Sequence, residues 1–188
     1  MTKTAGHLVI LTANRPGVVR SAEWSEFDLD NALWEIPAAK MKMRRPHLVP
    51  LPRQAVEMLR ELHRITGSYP FLFPGQGGYG KREGKFMSEC TINLAYARIG
   101  YKGRMTGHGS RHTASTLLHE HGWESKFIDA QLSHKDKDAP KIRGEYNHAI
   151  YLPQRREMMQ WYADYLDQLA GGNVIPASFG KRTSVIER

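Results

Sequence analysis

The change of hydrophobic period along the chain is the tightest constraint on its fold. Runs rich in β-formers are confined to Trp24–Leu29, Leu33–Ala38 and His47–Leu51. Asp28–Asn31 punctuates the first pair and Lys40–Pro46 separates the second, so three short strands joined by turns are expected. Everywhere else the apolar residues recur at helical spacing. Leu8–Ala13 reads as the end of a helix, as if the chain began inside a larger protein, and Val18–Glu23 as a short helix with Val18, Val19 and Ala22 inward. Arg53–Thr66 places Ala55, Val56, Leu59 and Leu62 on one face and stops before Gly67. After a buried connector, Phe71–Pro74, and a Gly-rich basic loop, Gly75–Lys85, Ser88 with Thr91 opens a helix running to Ile99 that holds Cys90 as a small core residue. Thr113–His121, Ser125–Leu132 and Leu152–Leu169 are the remaining helices. The fold class is therefore α+β, mainly α-helical, with a small three-stranded antiparallel sheet near the N-terminus.

The 188 residues suffice for one substantial domain, expected over 1–170, with 171–188 as a flexible tail beyond Gly171-Gly172. A balance of 27 Lys and Arg against 19 Asp and Glu gives a net charge of +8. That excess favours a polyanionic partner, against the alternative of a surface charge that serves solubility. The basic residues recur at Lys40–Arg45, Lys81–Lys85, Arg98–Arg104, Lys135–Arg143 and Arg155–Arg156, so several loops are expected to supply the positive surface. Among them Lys40, Arg44, Arg45, Arg104 and Lys135 are the candidates to lie along a phosphate backbone. One cysteine excludes an intrachain disulfide and a zinc ribbon. The close histidine pairs, His108 with His112 and His119 with His121, lack the glutamate of a His-Glu-x-x-His site. No phosphate-binding Gly-x-x-x-x-Gly-Lys-Ser/Thr loop and no Gly-x-Ser-x-Gly elbow is present, so neither a cofactor nor ATP is expected. With no long apolar run and no signal peptide, the expected location is cytoplasmic.

Thr106-Gly107-His108-Gly109-Ser110-Arg111 lies where a loop meets a helix. His108 and Arg111, three apart, project to one side, and the first-turn N–H groups there favour an anion. The imidazole can exchange a proton near neutral pH, and the guanidinium is a fixed fork suited to phosphate. Arg15, in Asn-Arg-Pro-Gly, is either a turn residue or a buried cation in need of an anion. Lys42 is either a solvated turn tip or a mobile proton donor, with Lys40 its rival. His134 ends an apolar helix, and Tyr146 precedes the last one.

Taken in order, six separated motifs resemble the catalytic domain of tyrosine recombinases, nearest to the integrases of satellite phages and genomic islands. They are Arg15-Pro16-Gly17, Trp24-Ser25-Glu26-Phe27-Asp28-Leu29, Met41-Lys42-Met43-Arg44-Arg45-Pro46-His47, Thr106 to Arg111, Gln131-Leu132-Ser133-His134, and Tyr146-Asn147. The resemblance spans Leu8 to Leu169. It implies that Arg15 and Arg111 clamp the phosphate, Lys42 is the strand-turn lysine, His108 and His134 are the active-site histidines, and Tyr146 is the nucleophile, with Tyr151 its rival. It implies site-specific recombination of a prophage or genomic island through a 3′-phosphotyrosine intermediate. The partners would be double-stranded DNA attachment sites in the bacterial nucleoid, bound by a homotetramer that is a monomer without DNA. Val18 stands where the family usually carries an acidic residue, and the family's amino-terminal arm-binding and core-binding domains have no counterpart in this sequence. The competing expectation is a catalytically impaired DNA-binding remnant.

Overall fold

A computed structural model describes residues 1–75, 86–134 and 151–172. Helix α1 (Thr2–Thr12) ends at Ala13, which takes the left-handed conformation with φ 51° and turns the chain into Asn14-Arg15. Proline fits the first turn of a helix, where its missing N–H is not needed, and α2 (Pro16–Arg20) starts there rather than at Val18. Strands β1 (Phe27–Asp28), β2 (Leu33–Ile36) and β3 (His47–Pro50) form an antiparallel sheet in that order. Phe27 pairs with Trp34, and Trp34 with Val49. The first expected strand is shorter than its β-rich run, because Trp24–Glu26 forms a 3-10 turn. Buried Trp34 stacks on Phe27 at 4.9 Å and donates its indole N–H to Glu26 Oε2 at 2.9 Å, which closes one end of the sheet.

Helix α3 (Arg53–Thr66) has the expected limits and buries Ala55, Val56, Leu59 and Leu62. Helix α4 (Thr91–Tyr96) ends earlier than its pattern suggests. A single wide turn follows, broken at Ile99 and at Gly100, whose φ is 94°. Ser88 bonds the Thr91 hydroxyl at 2.7 Å rather than a backbone N–H, so it does not cap the helix. Cys90, expected in the core, is exposed at that N-terminus. Helix α5 (Gly109–Glu120) starts a turn before the expected Thr113, followed by α6 (Ser125–Gln131) and α7 (Leu152–Ala170). None of the described helices is long and apolar enough to cross a membrane.

Two apolar clusters make the core. One joins α1, α2, the sheet, α3 and α4 around Leu8, Trp34, Leu59 and Phe73. The other joins α5, α6 and α7 around Leu118, Ile128, Met158 and Tyr162. Buried polar residues, among them Thr12, Arg111, Gln131 and Arg155, lie between them. Their hydrogen bonds run from one cluster to the other, and the candidate site sits on this seam.

Candidate active site

Arg15 caps the start of α2 in an extended conformation, and its carbonyl accepts the Val18 and Val19 N–H groups. Its side chain lines an open cavity of about 650 Å³ together with Lys42, Arg44, Asn93 and His108. Glu89 is the one acidic residue on the described wall. The Arg15 and His108 motifs touch directly. A Cβ added at Gly107 would lie 2.6 Å from Pro16 Cγ, so close approach requires the glycine there. Gly107 N also donates to Asn93 Oδ1 at 2.9 Å, tying the motif to α4.

Arg111 is 5% exposed and is not among the residues that line this cavity. Its Nη1 donates to Ala13 O and its Nη2 to Leu132 O at 2.8 Å, which fixes the plane of the fork. Among the described residues neither Arg15 nor Arg111 has a carboxylate partner. Burial and the nearby Arg15 charge push the Arg111 pKa down to about 10, which still leaves it cationic at neutral pH. The first-turn N–H groups of α5 are not the anion donors expected. Gly109 N donates to Thr106 Oγ1 at 2.9 Å, Ser110 N to Thr106 O, and Arg111 N to His108 O. Attraction for an anion therefore comes from the guanidiniums, not from the helix start.

The hairpin separates the two rival lysines. Lys40 Nζ donates to Ser21 O at 2.7 Å and Glu23 Oε1 at 2.8 Å and pairs with Glu26 as well, so it is a structural anchor. Lys42 is exposed on the cavity rim and has no ion pair among the described residues. His134 follows Ser133, whose left-handed φ of 51° ends α6. Its Nδ1 lies 2.9 Å from Asp129 Oδ1, a contact that orients the ring. His108 is exposed and packs edge-on against His112 at 5.3 Å. Tyr151 caps α7 with its ring against Phe127. Tyr146 and Lys135 lie outside the described residues, as do most of the Gly75–Lys85 loop and residues 173–188 of the expected tail. Among the described residues no three His, Cys, Asp or Glu side chains are grouped to hold a metal.

Three residues given no role from the sequence, His47, Gln131 and Arg155, complete the surroundings. His47 is buried within the electrostatic reach of Arg155, Arg111 and Arg15, with Nε2 3.0 Å from Gln131 O. Burial, helped by the charges of Arg155, Arg111 and Arg15, pushes its pKa down to about 3. The ring is therefore neutral, with the proton on Nε2 facing the carbonyl. Arg155, expected on a basic surface patch, is 1% exposed and bonds Gln131 Oε1 through Nε at 3.1 Å and Nη2 at 2.9 Å. Its signal was helical phase, since Arg155, Met158, Met159, Tyr162 and Ala163 form one buried stripe.

Residues 1–152 match the phage integrase family. The prophage integrase IntZ of Escherichia coli K12 is 46% identical over 175 residues, covering 93% of this chain and 42% of that protein. The integrase of Enterobacteria phage P4 is 42% identical over 183 residues, covering 89% and 40%. The structure of an integrase from mycobacterium phage Brujita superposes with a TM-score of 0.61 at 17% identity, over 85% of this chain and 50% of that one. The chain thus spans about two-fifths of the length of these curated relatives. With residues 1–152 matched, and a mainly helical fold that superposes on an integrase, the chain belongs to the phage integrase family.

Proposed function

We propose that residues 1–170 are the catalytic domain of a site-specific DNA recombinase, which cuts and rejoins strands through a covalent 3′-phosphotyrosine. The observation that carries this reading is the pairing of Arg15 with buried Arg111, two cations without a carboxylate among the described residues. Burying a guanidinium is costly unless an anion or fixed hydrogen bonds compensate it. Carbonyls take two of the five N–H donors of Arg111, which leaves donors for a phosphodiester.

In this reading the Tyr146 oxygen attacks phosphorus, and the new O–P bond replaces the bond to the 5′-oxygen. Arg15 and Arg111 meet the non-bridging oxygens as charge grows on them. Lys42 gives a proton to the departing 5′-oxygen, while His108 and His134 orient the phosphate and carry protons at its edge. One phosphoester is exchanged for another, so the step needs no energy source. Arg44, Arg45 and Arg104 follow the DNA backbone, which makes affinity salt-dependent. Attachment-site DNA and a homotetrameric synapse belong to the same reading.

The test is covalent trapping. The chain is incubated with a pool of random-core duplexes carrying a bridging 5′-phosphorothiolate, whose departing thiol cannot readily rejoin. We expect a denaturation-resistant protein–DNA adduct that is absent in Tyr146→Phe and slowed about 10²–10³-fold in Arg15→Ala and Arg111→Ala. Salt-sensitive binding without an adduct would identify a DNA-binding remnant instead. Loss of the adduct in Tyr151→Phe but not in Tyr146→Phe would move the nucleophile to Tyr151.

A further inference from the structure

Arg155 and Gln131 form a buried knot that joins four of the elements around the site without lining its cavity. Among the described residues the three side-chain hydrogen bonds of Arg155 end on neutral acceptors, two on Gln131 Oε1 and one, from Nη2, on Leu48 O at 2.7 Å. Gln131, fully buried, donates from Nε2 to Thr12 O at 3.0 Å, and its own carbonyl receives His47 Nε2. Two side chains thereby join α1, β3, α6 and α7. Each partner is close in sequence to a candidate site residue. Thr12 is three residues before Arg15, His47 five after Lys42, Gln131 three before His134, and Arg155 nine after Tyr146.

Stability alone is a poor reason for this arrangement. Buried charged networks can often be replaced by apolar residues of similar volume with no loss, or with a gain. An apolar pair would fill the same space, but it would not fix direction, because dispersion contacts tolerate sliding and directed hydrogen bonds do not. Arg155, Arg111 and Arg15 all act electrostatically on buried His47, so the knot brings a third positive charge into the same neighbourhood.

We propose that Arg155 is a positioning residue for strand cleavage, gripping Gln131 and Leu48 so that the start of α7 stays in register with α6, β3 and the two site arginines. This rests on the reading of the chain as a DNA strand transferase.

The test uses the full chain, the phosphorothiolate duplex pool and its all-oxygen counterpart. It compares wild type, Arg155→Lys and the double variant Arg155→Met/Gln131→Met, reading melting midpoint, DNA Kd and the single-turnover adduct rate at saturating DNA. The double variant is expected to melt near wild type and to bind DNA within about threefold, while its adduct rate falls about thirtyfold or more. The loss should be equal on oxygen and sulfur leaving groups, because nucleophile approach suffers and leaving-group protonation does not. Arg155→Lys keeps the charge and gives up the fork, so it should fold, bind DNA and react about tenfold more slowly. A double variant that recovers both midpoint and rate, or an Arg155→Lys chain at the wild-type rate, overturns the positioning role alone. A wild-type chain that forms no adduct overturns the strand-transferase reading and this inference with it.

Discussion

Gly107→Ala tests whether the contact between the two arginine-bearing motifs sets the geometry of the site. The backbone of Gly107 lies outside the left-handed region, so the requirement for glycine is proximity alone. The added methyl would sit 2.6 Å from Pro16 Cγ, 3.4 Å from Pro16 Cβ and 3.6 Å from Ile92 Cγ2. Carbon atoms rest at about 3.5–4.0 Å, so the two motifs must separate by about 1 Å. The proline ring cannot swing away as a long side chain would, so the backbone gives instead. Overpacking of this kind costs about 1–3 kcal/mol, which lowers the melting midpoint of a chain this size by roughly 2–12 °C. The effect on chemistry should be larger, because a misplacement of about 1 Å between His108 and Arg15 can cost about a hundredfold in rate. The assay is adduct formation well below the melting range, beside a thermal melt. Pro16→Ala removes the clashing Cγ, so the double variant should recover stability and rate, with a coupling of about 1 kcal/mol or more. Strict additivity of the two substitutions, or a wild-type rate in Gly107→Ala, would refute the argument.

The two hairpin lysines should separate cleanly. Lys42→Ala is expected to leave stability within about 0.5 kcal/mol and to slow cleavage of the oxygen substrate about 10²–10⁴-fold, with recovery on sulfur. Lys40→Met leaves the buried Glu26 carboxylate with only the Trp34 N–H and should cost about 2–3 kcal/mol in urea unfolding, an outcome that would be reversed if Lys40 were the proton donor. His47 predicts an acid-side loss of stability. Its folded pKa is depressed from 6.5 to about 3, so its contribution is complete above pH 6.5 and falls away as pH drops from 6.5 through about 3, at up to about 1.4 kcal/mol per pH unit. Urea midpoints followed across that window should flatten by one proton in His47→Gln, and an unchanged slope would show that the ring is not held neutral.

What could be read from the sequence was whatever local pattern decides. The α3 stripe of Ala55, Val56, Leu59 and Leu62 has only one way to be buried, and its ends are marked by Pro52 and Gly67, so its limits came out intact. The sheet followed from turn residues between β-rich runs, although the 3-10 turn at Trp24–Glu26 did not, because tryptophan and glutamate sit equally well in either conformation. Cys90 was misplaced for a related reason. Small apolar residues are most often buried, but α4 begins only at Thr91, and Cys90 lies at its solvent end. Arg155 was misread because a charge beside another charge, Arg156, suggests a surface, whereas the phase of α7 puts one inside and leaves the other reaching the Asn31 carbonyl. Burial of His47 depends on β3 passing under α6, a tertiary contact that carries no local trace.

The charge distribution along the seam bears on why the site is built from guanidiniums and carbonyls instead of ion pairs. Arg111 is aimed by Ala13 O and Leu132 O, and Arg155 by Leu48 O and the Gln131 amide. Val18, where the family resemblance led to the expectation of an acidic residue, is 6% exposed and packed in the apolar cluster. A carboxylate orients a guanidinium as firmly as a carbonyl does, but it also cancels the charge and would compete with an incoming phosphodiester for the same donors. Carbonyls orient without cancelling. The two arginines thus keep their full field for an anion, and the repulsion between them is borne by the packing of both cores on either side. That division explains why the polar residues are concentrated on the seam. The apolar clusters supply the stability that lets like charges be held together, and in the proposed reading a phosphate group is the counter-charge the described residues lack.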